Sequence, residues 1–257
     1  MRILLTNDDG IHAPGLKVLE GIARALSDDI WIVAPEEEQS AAGHSLTISR
    51  PLRLRQHGER RFGISGTPTD AVMMAVGHLM KGNRPDLILS GVNRGANLAE
   101  DVTYSGTVSA AMEGAIMGVR SIALSQVYAR EGMGDSVSFA AAAGWGERVI
   151  RALLAQPHQS QTLINVNFPA LAPDEIRGVK VARQGFHDAM RNRIVPCVDP
   201  RGYPYFWFGL DHSDAAPHGS DLEACAQGYV TVTPLQFDLT HYELLADLEA
   251  ALGVPPG

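Results

Sequence analysis

The chain has 257 residues, 45% of them hydrophobic and 19% charged, with a formal net charge of −8. That is an ordinary globular composition with length for a sizeable core, as one large domain or two small ones, and the acidic balance without a long basic run excludes duplex nucleic acid as the expected partner. Two cysteines, Cys197 and Cys225, do not make a disulfide framework or a metal-ligand spacing; with no secretory leader and no bilayer-spanning apolar run in the sequence, a cytoplasmic protein is expected.

The first ten residues, MRILLTNDDG, set the organisation of the chain. Residues 3–5 read as a buried strand that stops in Asn7, Asp8, Asp9 and Gly10. Two neighbouring carboxylates repel each other unless a cation or hydrogen-bond donors sit between them. In open α/β sheets, ligands bind beyond the carboxyl ends of the strands. Asp8 and Asp9 therefore stand where a metal or substrate is expected, although Asp-Asp-Gly alone is a frequent turn former. Leu16, Leu19, Ile22, Ala23 and Leu26 then recur at helical spacing, with Pro14 suited to the first turn. Residues 30–34 are a buried strand stopped by Pro35. This βαβ unit implies a parallel sheet with a right-handed crossover.

Residues 35–45, PEEEQSAAGHS, form a polar loop on the same sheet edge as Asp8, and Ser40 and His44 are its chemically useful members. Residues 47–55 read as extended, a small hairpin broken by Pro51, and residues 62–64 as a short strand. An apolar helix is expected over residues 71–80, with Thr69 or Asp70 as its cap. Residues 86–90 form a third buried strand, followed by a polar turn that contains Asn93 and Asn97. Ser105, Gly106 and Thr107 lead directly into a helix over residues 108–117. A strand over 121–125, a helix over 139–154 and a strand over 163–168 follow.

The pattern changes after Gly178. Residues 179–182 are short and extended, and residues 184–222 are rich in Pro, Gly, Asp and His. The aromatic run over residues 203–208 has neither strand alternation nor helical period. It reads as an irregular extension with hairpin strands that makes an oligomer contact rather than a core. A strand over 228–234 and a terminal helix over 242–252 close the chain. The fold expected is a three-layer α/β/α, Rossmann-like, mostly parallel sheet. It divides into a core over residues 1–183 and an oligomer-forming extension over residues 184–257, with hairpin strands, a closing strand and a terminal helix.

Carboxylate, hydroxyl and amide oxygens thus gather from separate strand-end loops: Asp8 and Asp9, Ser40, then Asn93 and Asn97. Oxygen donors without a thiolate suit a hard cation such as Mg²⁺, Mn²⁺ or Ca²⁺ rather than structural zinc. The helix that starts at Thr107 offers free N–H groups and partial positive charge to a phosphate, and Gly106 permits close backbone approach. Each part alone has a plainer reading, as a cap, a turn amide or a solvated hydroxyl. Their shared rim is what points to chemistry.

The segments LTNDDGIHAPG, APEEEQSAAGHSLT, SGTPTDAV, LSGVNRGANLAEDVTYSGTVSAAMEG and GYVTVTPL together resemble the survival protein E (SurE) family of metal-dependent nucleotidases. The resemblance runs in order through most of the chain. It is tightest over residues 3–125 and loose over 129–160 and 184–222, and at Ala71 family members frequently carry cysteine. It implies that Asp8, Asp9, Ser40 and Asn93 bind one divalent cation per subunit, Mg²⁺ or Mn²⁺, with Ca²⁺ a stand-in in crystals. It implies that Asn97, Ser105, Gly106 and Thr107 hold phosphate. The implied activity is hydrolysis of nucleoside 5′- and 3′-monophosphates, and of short polyphosphate, by a phosphoric monoester hydrolase of the 5′-nucleotidase type. Asp8 and Asp9 are the expected catalytic pair, one chiefly a ligand and the other orienting or deprotonating the attacking water. A homodimer or homotetramer built through the C-terminal extension is also implied. Two other readings stand beside this one: a metal-dependent deacetylase drawing on His12 and His44, and a non-enzymatic nucleotide-binding regulator.

Overall fold

The computed structural model describes residues 1–128, 138–187, 192–210 and 216–253. The chain opens with β1 (Arg2–Thr6), α1 (Pro14–Arg24) and β2 (Asp29–Pro35), then the pair β3 (Leu54–Gly58) and β4 (Arg61–Ile64). It continues through α2 (Pro68–Met74), β5 (Leu87–Arg94), α3 (Gly106–Ile116), β6 (Arg120–Gln126), α4 (Ala140–Leu154), β7 (Thr162–Phe168) and β8 (Val179–Val181). The last elements are β9 (Asn192–Val198), β10 (Pro204–Leu210), α5 (Asp221–Ala226), β11 (Val230–Gln236) and α6 (Tyr242–Leu252).

Nine strands form one sheet in the order β3-β4-β2-β1-β5-β6-β7-β11-β8. The run from β4 to β7 is parallel, which aims the carboxyl ends of β1, β2 and β5 at one rim. β11 enters antiparallel beside β7 and pairs with β8 on its other side, so the closing strand belongs to the main sheet. β1 lies between β2 and β5, and its Ile3, Leu4 and Leu5 are all fully buried. A central parallel strand is covered on both faces, which is why its sequence is a continuous apolar run instead of an alternation.

The two faces take different helices. Ile3, Leu5, Ile32, Leu89, Leu124 and Val166 pack with the apolar stripes of α1 and α4. Leu4, Val33 and Ile88 pack with α2 and with Ala110 of α3. This is the expected α/β/α layering. Gly15 of α1 lies so close to β5 that an added Cβ would stand 1.9 Å from the Val92 carbonyl oxygen. Only glycine allows that approach, and it brings the start of α1 against the end of β5.

Three local expectations are corrected. The α2 cap is Thr67, not Thr69 or Asp70: its hydroxyl accepts from the Asp70 N–H while the Asp70 carboxylate accepts from the Thr67 N–H. That reciprocal capping box is what T-x-x-D encodes. The helix is also shorter than expected and ends in a π-helical turn over Ala75–Leu79. The hairpin falls later than residues 47–55, as β3 paired with β4.

β9 and β10 pair as a separate antiparallel ribbon. It exposes Ile194, Val198, Tyr205, Phe206, Trp207 and Phe208. α6 buries none of its residues within this chain. Among the described residues, no helix is long and apolar enough to cross a membrane.

Candidate active site

The site begins where β1 runs out of apolar residues. The Asn7 amide donates to the Gly10 carbonyl at 2.9 Å and turns the chain at the rim. Asp8 is 5% exposed. The Thr107 hydroxyl donates to its Oδ1 at 2.5 Å, joining residues 99 positions apart in the chain. Between them sits Gly106, where a Cβ would stand 2.8 Å from the Asp8 Cβ and 3.0 Å from its Oδ2. Glycine is required for that approach. The Ser105 hydroxyl accepts from the Val108 N–H at 3.0 Å and caps α3. The start of α3 is thereby held against the Asp8 carboxylate, where the helix dipole favours negative charge.

Two further loops converge here. The Gln39 N–H donates to the Asp8 carbonyl at 2.8 Å, which draws in the loop after β2. The Arg94 N–H donates to Asp9 Oδ2 at 3.2 Å, which draws in the end of β5. Burial raises the Asp8 carboxyl above the usual carboxylate range, and hydrogen bonds from Thr107 and from main-chain N–H groups oppose this. Asp9 is pushed up to about 6, first by burial and then by the charge of Asp8, with Arg94 opposing and Glu38 adding to the rise. The two carboxylates are thus packed together with too little positive charge to match them.

The remaining expected residues divide. The amide nitrogen of half-buried Asn93 donates to the Gly95 carbonyl at 3.0 Å, so its oxygen is the end left for a cation. Ser40 is exposed, and its hydroxyl donates to Glu38 Oε1 at 2.6 Å instead of turning toward the aspartates. Asn97 is buried and bonds away from Asp8, toward β6 and β7. Its side-chain nitrogen donates to Ser125 Oγ at 2.7 Å and its N–H to Asn167 Oδ1 at 2.8 Å. Its carbonyl accepts from the amides of Asn165 at 2.7 Å and Asn167 at 3.1 Å. Sequence reasoning missed Ser125, Asn165 and Asn167. The signal was the pair of asparagines two apart in the otherwise apolar strand LINVNF, which places both on one face. The histidines lie elsewhere: His12 meets the His57 ring edge-on at 5.0 Å, and His44 Nε2 is 3.0 Å from Glu113 Oε2.

The family model described as Survival protein SurE matches residues 3–191. The chain belongs to the SurE family. A relative called 5′-nucleotidase SurE from Rhizorhabdus wittichii is 63% identical over 247 residues, 96% of this chain and 97% of the relative. One of the same description from Erythrobacter litoralis is 59% identical over 249 residues, again 96% and 97%. The crystal structure of the SurE protein from Aquifex aeolicus matches with a TM-score of 0.84 at 38% identity, over 98% of this chain and 100% of that one. All eight positions singled out above as metal or phosphate contacts fall inside the stretch that the SurE model matches.

The metal expected of a SurE chain can be tested against these donors. Among the described residues no three His, Cys, Asp or Glu side chains form a metal-holding group. A thiolate or imidazole cage is therefore not what this site offers. Two adjacent carboxylates raised by burial and by each other, with an amide oxygen turned free on Asn93, do fit a hard divalent cation. The Ser40 hydroxyl joins such a set only by releasing Glu38.

Proposed function

We propose that this SurE-family chain is a divalent-metal-dependent nucleotidase, hydrolysing nucleoside 5′- and 3′-monophosphates to nucleoside and phosphate, and acting on short polyphosphate as well. The observation that carries this reading is the bond from Thr107 to Asp8, with Gly106 pressed against the same carboxylate. It brings a carboxylate pair suited to a cation up to a helix start suited to phosphate. The 5′-nucleotidase description of relatives at 63% and 59% identity supports the substrate class.

Asp8, Asp9, Asn93 and Ser40 would hold Mg²⁺ or Mn²⁺. Bound there, such a cation supplies Lewis-acid polarisation of a phosphoryl oxygen and a water of lowered pKa. The rest falls to the chain's own groups. Thr107 fixes the Asp8 carboxylate, which makes Asp8 the ligand of defined orientation. Asp9 is the less buried of the two, with a carboxyl near 6 before any cation binds, and it orients the attacking water. The Gly106 N–H at the start of α3 would receive a phosphoryl oxygen, and Asn97 would add the amide hydrogen that it does not give to Ser125. Phosphoryl transfer needs positioning and charge neutralisation more than a protein nucleophile.

The deacetylase reading needs imidazole ligands, and His12 and His44 are engaged with His57 and Glu113. A nucleotide-binding regulator would bind without turnover. Phosphate release from AMP and GMP, measured with and without added Mn²⁺ or Mg²⁺, separates the two classes. Metal-dependent release supports the nucleotidase, whereas nucleotide binding with no release under any divalent metal ends it. The exposed aromatic ribbon of β9 and β10 and the unburied α6 support a homodimer or homotetramer assembled through residues 184–257. A cytoplasmic location completes the reading.

A further inference from the structure

One buried carboxylate far from Asp8 ties the loop that bears Asn97 to a distant part of the chain. Asp221, the first residue of α5, is fully buried. Its Oδ2 accepts the Ala99 N–H at 2.9 Å, and its Oδ1 accepts those of Gly185 at 2.8 Å and Leu222 at 2.9 Å. Ala99 has φ of 53°, in the left-handed region that residues with a side chain seldom adopt. The turn two residues after Asn97 is therefore strained and depends on what surrounds it. Gly185 lies on the outgoing root of the β9–β10 arm, and Asp221 on the returning root. The two roots are joined, since the Asp221 N–H donates to the Arg183 carbonyl at 2.9 Å and Arg183 bridges to Ser220. Glu100 adds a second tie, accepting the His187 N–H at 3.1 Å and lying 2.9 Å from His187 Nδ1.

We propose that Asp221 is a positioning residue for phosphate binding. Its two oxygens clamp the 97–99 turn to the root of the hairpin arm, and through that turn hold the Asn97 amide in register with the start of α3. A carboxylate suits this task because it is acceptor-only and faces three N–H donors. An amide of the same shape would turn one donor toward a main-chain N–H. The proposal rests on the role given to Asn97 above, and it adds that the arm's root is part of the phosphate site's support.

The test uses the full chain with Mn²⁺, reading inorganic phosphate affinity by calorimetry, kcat and KM for AMP, and the thermal midpoint. Asp221→Asn raises both the phosphate Kd and KM by about tenfold while kcat stays within about threefold. In an Asn97→Ala background the same change moves phosphate affinity by less than about twofold, because the two act through one contact. A lowered thermal midpoint with wild-type Kd and KM would make Asp221 a structural residue only and overturn the proposal. Equal losses in both backgrounds would do the same. If Asn97→Ala alone leaves phosphate affinity unchanged, the role of Asn97 falls, and the proposal falls with it for a different reason. Should Asp221→Asn fail to fold, Asp221→Glu keeps an acceptor-only carboxylate but displaces both oxygens from the three N–H groups by one methylene. It is expected to weaken phosphate binding several-fold, and an unchanged Kd overturns the clamp.

Discussion

Among the described residues three aspartates, Asp8, Asp70 and Asp221, are almost fully buried, and they are buried in two different ways. Asp70 accepts the N–H groups of Thr67 at 2.8 Å and Thr47 at 3.0 Å, and Asp221 accepts those of Ala99, Gly185 and Leu222. Each is wrapped in main-chain donors, and each fixes a loop. Asp8 also receives main-chain N–H groups beside the Thr107 hydroxyl, but it alone of the three has a second carboxylate, Asp9, as its neighbour in the chain. Its surroundings raise its carboxyl, and they push that of Asp9 to about 6. Burial alone thus does not mark a functional carboxylate. What separates the pair at the end of β1 is charge that the fold has gathered without neutralising.

The largest effect should come from exchanging charge for shape at each kind of site. Asp8→Asn or Asp9→Asn is expected to cut metal-dependent phosphate release by about 10³-fold or more, the scale of removing a group aimed at developing charge. The same variants should melt at or above the wild-type temperature at pH 7 without divalent ions, because a repulsion has been removed. Asp70→Ala should do the reverse: it strips the Thr67 and Thr47 N–H groups of their acceptor and costs about 2–3 kcal/mol of stability. Parallel melting curves and phosphate-release assays on these variants check the contrast. A fully active Asp8→Asn enzyme would abolish it.

A second effect follows from linkage. In the folded chain Asp9 holds its proton up to about 6, well above its ordinary value of 3.8. The folded state therefore binds more protons than the unfolded state between these values, and its stability falls as pH rises through that window. Asp8, also raised, acts in the same direction. For a part-exposed group the loss amounts to about 2 kcal/mol, discounted from the full shift for solvent screening. Urea titrations at pH 4 and pH 7 in chelator should show this loss for wild type and a much smaller one for Asp9→Asn. Mn²⁺ at pH 7 should restore the difference by binding the folded state alone.

How much of this could be read from the sequence depends on how many chain neighbours decide a feature. The central strands were legible because burial on both faces leaves unbroken apolar runs, and Asp8 and Asp9 because they break one. Ser105, Gly106 and Thr107 were legible as a helix start. The direction of β11 was not, since VTVTP fits a parallel or an antiparallel neighbour equally well. Nor was the turn of the Ser40 hydroxyl toward Glu38, two residues before it, instead of toward the aspartates. Asn165, Asn167 and Asp221 were passed over for a third reason. Their partners lie 68, 70 and 122 positions away, and a polar residue inside an apolar strand or short helix shows its purpose only when that partner is placed beside it.

The smallest predicted effect bears on the bond that joins the two halves of the site. Thr107→Ala removes the hydroxyl donor from Asp8 but leaves Gly106 and the N–H groups of α3 in place. A buried carboxylate that loses its hydrogen bond has its carboxyl driven further upward, so cation binding in competition with protons must weaken as well as phosphate binding. KM for AMP should rise by about tenfold, with more loss at the lower than at the higher of two assay pH values, because proton competition at Asp8 fades as pH rises. A purely steric role for Thr107 would raise KM equally at both values. An unchanged KM would remove Thr107 from the phosphate site and leave its hydroxyl as a structural partner of the kind that Asp70 already has.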